Sequence, residues 1–108
     1  MAEKYETVIR RNIGTTRARD FYDLYIMYNF FKLKIRMDVL RKAVLHTAQK
    51  RGSAEYLKEW KDILKDLREE PQLYLLWNNY INENKYVGKL KFQEVLNTLD
   101  EISVALDF

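Results

Sequence analysis

Arg17-Ala18-Arg19-Asp20-Phe21-Tyr22-Asp23-Leu24-Tyr25-Ile26-Met27-Tyr28-Asn29-Phe30-Phe31 decides how this chain folds. The stretch shows no sustained alternation of period two, so it reads as a helix over residues 17–31. From Phe21 to Phe31 almost every position is apolar or aromatic, which leaves no wide polar face and predicts a central helix. Asp20 and Asp23 nevertheless lie inside it, three residues apart on neighbouring parts of one surface, with Arg17 three residues before Asp20. A carboxylate beside so much aromatic surface loses solvation and needs a cationic or hydrogen-bonding partner. Lys4, Arg10, Arg11 and Arg17 can each supply one across a tight pair of helices.

Outward from that stretch, Gly, Pro and polar clusters divide the chain into about six helical segments. Residues 2–13 form the first, with Tyr5, Val8, Ile9 and Ile13 at helical spacing and a stop at Asn12-Ile13-Gly14. Thr15 or Thr16 is placed to cap the second. The third covers about 36–50, with Val39, Leu40, Ala43, Val44 and Thr47 on one stripe and its end at Gly52. Ser53 starts a fourth, on which Tyr56, Trp60, Ile63, Leu64 and Leu67 recur at three and four. Pro71 suits the first turn of the fifth, where its missing N–H costs nothing; Leu73, Leu76, Trp77, Tyr80 and Ile81 are its buried face. After a turn at Val87-Gly88 comes the sixth, carrying Phe92, Val95, Leu96, Leu99, Ile102 and Leu106. The prediction is an all-α, compact bundle of about six helices, one domain over residues 1–108.

Composition agrees with one folded unit. The chain has 108 residues, 47% of them hydrophobic, with three Gly, one Pro and no Cys. That balance excludes a disordered segment, and the absence of cysteine excludes disulfides and thiolate metal sites. Charges interrupt every apolar run before membrane-spanning length, and Met1-Ala2-Glu3-Lys4 opens directly into charged helical sequence, so a cytoplasmic protein without signal peptide or membrane partner is expected. Residues 1–52 carry a net charge of +7 and residues 53–108 a net charge of −4. The basic half suits an anionic partner, nucleic acid being the usual one; the plainer reading is that basic and acidic helices pair or stay solvated. Arg10, Arg11, Arg41 and Lys42 are the candidate RNA contacts, with Lys32, Lys34, Arg36, Lys50 and Arg51 as further cations.

Other constellations are thinner. His46 is the sole histidine and has no evident ligand partner, so no metal site is expected. Ser53 follows Gly52, but no strand precedes it and no Asp-x-Asp follows. No glycine-rich phosphate loop and no nucleophile–base pair is present. The residues leave two readings of Asp20 and Asp23 open. They either belong to an Asp–Arg network that fixes the angle between the first two helices, or line, with Glu3 and Lys4, the wall of a site.

Ala2-Glu3-Lys4, followed by Thr16-Arg17-Ala18-Arg19-Asp20-Phe21-Tyr22-Asp23, resembles the AbiEii/AbiGii type of abortive-infection nucleotidyltransferase toxin, in the C-terminal helical part. Trp77-x-x-Tyr80, Tyr86 to Gly88 and Lys91-Phe92-Gln93-Glu94-Val95 are similar too, so the resemblance spans nearly the whole chain. It implies a preceding polymerase-β-like domain whose Gly-Ser loop and Asp-x-Asp motif bind Mg²⁺ and a nucleoside triphosphate. Neither motif occurs here. The expectation is a C-terminal domain alone, excised or encoded by a truncated gene, with no cofactor of its own and no independent turnover. Carried over, the resemblance places catalytic roles on Lys4, Asp20 and Asp23 and nucleotide binding on Lys4 and Arg17. Implied partners are the N-terminal nucleotidyltransferase domain, an acceptor such as tRNA and a cognate antitoxin. The competing expectation is a non-catalytic helical module that binds RNA or docks on a protein.

Overall fold

The computed structural model describes residues 1–14 and 17–108. Among them are seven α-helices and no strand: α1 (Ala2–Arg11), α2 (Ala18–Phe31), α3 (Met37–Arg51), α4 (Ala54–Leu57), α5 (Trp60–Glu69), α6 (Pro71–Glu83) and α7 (Phe92–Leu106). The proposed caps Thr15 and Thr16 lie outside the described residues. The punctuation read from the sequence acts where it stands. Gly52 closes α3 in the left-handed region at φ 69°, its N–H reaching the carbonyls of Ala48 and Gln49. Pro71 opens α6, and the Glu70 carboxylate accepts from the Gln72 N–H at 3.2 Å. The Glu94 side chain accepts from the Lys91 N–H at 2.9 Å at the start of α7.

The fourth expected segment is two helices. Tyr56 and Glu59 each bond the carbonyl three residues back, at 3.0 Å, so the chain tightens after Leu57 and restarts at Trp60. The break changes the helical phase. Leu57 is buried, while Tyr56, expected on the inner stripe, is 46% exposed. On α3 the inner stripe is Leu40, Val44 and Ala48, spaced by four, and Val39 faces outward. Ile13 falls in a 3-10 turn after α1 and is exposed as well.

α1 lies against α2, α3 and α4, and α7 packs on α2, α3 and α5. Tyr5, Val8 and Ile9 of α1 and Leu96, Leu99, Ile102 and Leu106 of α7 are essentially solvent-free. Phe92 joins three edge-to-face or tilted ring contacts, with Phe21, Tyr74 and Trp77, at centroid distances of 5.2, 5.1 and 5.7 Å. The Trp77 indole N–H donates to the Leu90 carbonyl at 2.8 Å, which fixes the connection into α7. α2 is central only along Ala18, Phe21, Leu24 and Tyr28; its last turn emerges from the bundle with Phe30 and Phe31 exposed. No described helix is long and apolar enough to cross a membrane.

Candidate functional site

Lys4, on the first turn of α1, reaches across to the first turns of α2. Its ammonium donates to Asp20 Oδ1 at 2.9 Å and stands 3.1 Å from Asp23 Oδ2. The helical spacing of the two carboxylates lets one cation serve both. Arg17 Nε is 3.6 Å from Asp20 Oδ2, and Arg19 Nε is 3.7 Å from Asp23 Oδ2. Four charged side chains from two helices and their junction therefore join Lys4 in one alternating cluster. The Asp20 side chain is 5% exposed and that of Asp23 25%, so the first is an internal group and the second reaches the surface. The hydrogen bond to Asp20 raises the Lys4 ammonium above its ordinary value, against the opposing effect of burial.

A cleft of about 690 Å³ opens beside this cluster, over the outer face of α1 between α2 and α3. Lys4, Arg10, Arg11, Arg17 and Arg51 line it, against the carboxylates Glu3 and Asp20. Cations outnumber carboxylates in its lining, although Lys4, Arg10, Arg17 and Arg51 are each paired with Asp20, Asp23 or Glu6. It brings together Lys4, Asp20, Arg17, Arg10 and Arg11 from the residues singled out in the sequence.

Arg41 and Lys42 are elsewhere, on the exposed side of α3. Arg41 holds the end of α7: its Nε donates to the Leu106 carbonyl at 3.0 Å, and its guanidinium lies 4.5 Å from the Phe108 ring centroid. A second hollow, of about 440 Å³, shares Arg17 with the cleft and is walled by Arg19, Leu76, Asn79 and Tyr80. Burial raises the Tyr80 phenol well above its usual range, and a 2.8 Å bond to the Tyr86 hydroxyl adds to the effect.

One polar centre escaped the sequence reading. Glu6 is 1% exposed, and its carboxylate is met by Arg51 Nη1 at 2.7 Å, Arg10 Nε at 2.9 Å and the Ser53 hydroxyl at 2.8 Å. Burial pushes this carboxyl up, but the bonds from Arg51, Arg10 and Ser53 outweigh it and hold the group below its ordinary value. Ser53 therefore serves Glu6 with its hydroxyl and does not cap α4 with it. The four-residue spacing of Glu6 and Arg10 was the only local signal, and it looks the same as a solvated surface pair.

Asp20 and Asp23 are both neutralised by cations, which does not fit them as a metal site of their own. Among the described residues no group of three or more His, Asp or Glu is placed to hold a metal ion.

Comparison with known protein families gives a match over most of the chain. The family described as nucleotidyl transferase AbiEii toxin, Type IV TA system, matches residues 1–98. No curated protein and no solved structure matches the chain. With nearly its full length matched, the chain belongs to the AbiEii nucleotidyl transferase toxin family.

Proposed function

We propose that this member of the AbiEii family is the helical part of a toxin-type nucleotidyltransferase, acting in phage abortive infection in the bacterial cytoplasm. In this reading it supplies one wall of a nucleotide site and a surface for an RNA acceptor such as tRNA. The observation that carries the reading is the Lys4 ammonium, bridging Asp20 and Asp23 beside a cleft lined by four arginines. Nucleotidyl transfer builds negative charge on the phosphate under attack, and a preplaced ammonium stabilises that charge without reorganising. Asp20 and Asp23 fix the ammonium in place, and Arg17 extends the cationic wall toward the phosphates. Arg10 and Arg11 offer the cleft's further cations to an RNA backbone. Mg²⁺ and the nucleoside triphosphate are assigned to residues of a preceding polymerase-β-like domain, and a cognate antitoxin would restrain the assembled toxin.

The test is to combine the chain, covalently or in trans, with such a domain and to follow transfer of labelled nucleotide to tRNA with Mg²⁺ present. Transfer is expected with the wild-type chain and is expected to vanish in Lys4→Ala and Asp23→Ala. Lys61→Ala, on α5, should leave it intact. Full activity in the Lys4 and Asp23 variants, or transfer by the 108 residues alone, rejects the half-site reading.

A further inference from the structure

The end of α2 presents side chains that a folded domain ordinarily hides. Phe30 is 74% exposed, Phe31 54% and Leu33, in the turn that follows, 97%. Lys32, Lys34 and Arg36 alternate with them and are exposed, Arg36 being paired to Asp38 at 3.2 Å. Leaving two phenylalanines in water forgoes the burial that places most aromatic side chains in cores, so a contiguous patch of this kind marks a contact surface. Its position is not arbitrary. Met27 lines the cationic cleft, and Phe30 and Phe31 stand three and four residues beyond it, on the same side of α2 and about 5 Å further along. The aromatic tip is thus the next turn of the wall that carries Asp20 and Met27.

We propose that this tip binds single-stranded RNA, with Phe30 and Phe31 stacking on unpaired bases and Lys32, Lys34 and Arg36 contacting the flanking phosphates, so that the strand runs on into the cleft. The inference rests on the RNA-binding part of the function proposed above and adds to it which form of RNA is recognised and where. An aromatic platform at one end of a cationic track is the arrangement by which proteins hold single strands without reading their sequence. A duplex keeps its base faces stacked inside and offers the phenylalanines nothing. An apolar protein partner would have to strip water from three cations to cover the same patch.

The experiment titrates the full chain into a fluorescein-labelled oligouridylate of twelve nucleotides, and into a twelve-base-pair RNA duplex, at several salt concentrations. Wild-type protein should bind the single strand more tightly than the duplex. Phe30→Ala with Phe31→Ala should weaken single-strand binding roughly tenfold or more, because each stacked base contributes about that factor. The salt slope should stay the same. Phe30→Tyr with Phe31→Tyr, which keeps both rings, should bind like the wild type. Lys32→Gln, Lys34→Gln and Arg36→Gln together should flatten the salt slope by about 2, close to 0.7 for each lost phosphate contact. Circular dichroism melts show that each variant is folded, and sedimentation reports self-association.

Equal single-strand affinity for the wild type and the alanine pair overturns the inference and leaves the wider RNA reading standing. An equal loss on strand and duplex overturns it as well, and so does an effect of the alanine pair on self-association alone. Absence of any RNA binding by the wild-type chain removes both.

Discussion

The hydroxyl of Tyr5 and Oγ of Ser103 lie 2.7 Å apart although 98 positions separate them in the chain. Ser103 gives its own proton to the Leu99 carbonyl at 2.8 Å, so Tyr5 is the donor and Ser103 the acceptor in this bond. Both residues are buried, and the two substitutions are therefore unequal. Tyr5→Phe removes the donor and leaves Ser103 bonded through its proton, at a cost of about 1 kcal/mol. Ser103→Ala strands a buried phenol and should cost about 1–3 kcal/mol. Urea unfolding of both variants is the measurement; a smaller loss for Ser103→Ala than for Tyr5→Phe would reverse the donor assignment.

Asp20 and Asp23 share Lys4 but not its environment. Asp23→Asn keeps shape at a partly solvated position, where an ion pair contributes little, and is expected to cost less than about 1 kcal/mol. Asp20→Asn removes a nearly buried charge from two cations and should cost about 2–3 kcal/mol, less than a fully enclosed pair because Lys4 and Arg17 keep access to water. Denaturation curves that rank the two the other way would make Asp23 the structural anchor.

Glu6, Lys4 and Tyr5 each shape the pH profile of stability, and the raised phenols of Tyr28 and Tyr80 add to its alkaline side. The Glu6 carboxyl sits below its ordinary value of 4.5 in the folded chain, so its contribution is complete above that value and fades as pH falls through the lower folded one. Lys4 is raised above 10.5, so its contribution is complete below that value and is lost as pH rises through the folded one. Burial pushes the Tyr5 phenol from 10.0 up to about 12, which places a further loss between those two values. Thermal melts from pH 3 to 11 should show both limbs. Glu6→Gln should flatten the acid limb and lower stability at neutral pH by about 1–3 kcal/mol. An unchanged acid limb in that variant would exclude Glu6 as its source.

Gly52 has open space where a Cβ would go, with no atom within 4 Å, yet its φ of 69° is one that L side chains rarely adopt. Gly52→Ala should therefore cost about 1 kcal/mol through backbone conformation alone, and Gly52→Asn distinctly less, since asparagine tolerates the left-handed region. Equal melting temperatures for the two would contradict this.

Charge reversal separates the cations of α3. Lys42→Glu should weaken binding of tRNA more than Lys61→Glu, by about one phosphate contact in the salt dependence. Arg41→Glu should in addition loosen the end of α7, because the guanidinium that bonds the Leu106 carbonyl is gone. A melting temperature unaffected by Arg41→Glu would mean that this clasp contributes nothing to stability.

Much of this architecture is legible in the sequence because its punctuation is chemical: Gly52 and Pro71 permit few alternatives to the ends they make. Helical phase is less legible. Val39-Leu40 and Ala43-Val44 are adjacent apolar pairs, and either member satisfies the periodicity until α1 and α7 choose Leu40 and Val44. Likewise the aromatic run of α2 reads as uniformly buried, since nothing local says that the bundle ends before Phe30. Two carboxylates in an aromatic helix demand a cation, which the residues leave open among Lys4, Arg10, Arg11 and Arg17; the family resemblance is what points to Lys4. Glu6 could not be grouped with its partners, because two of them, Arg51 and Ser53, are 45 and 47 residues distant.

The packing of α7 over α2 and α3, with its Ser103 bonded to Tyr5 of α1, has a kinetic side. Tyr5 belongs to the helix synthesised first among those described, yet the serine that accepts its hydroxyl sits on a helix that emerges from the ribosome after all the others. Closing contacts across nearly the whole chain carries a large loop-entropy cost in the transition state, so α7 docking should be late and slow compared with pairing of α1, α2 and α3. Until then the nascent chain exposes an apolar trough, and chaperones and proteases have their opportunity. Proteolysis of ribosome-bound chains stalled before and after residue 92 measures the length of that window, and equal resistance of the two would show that the trough closes without α7.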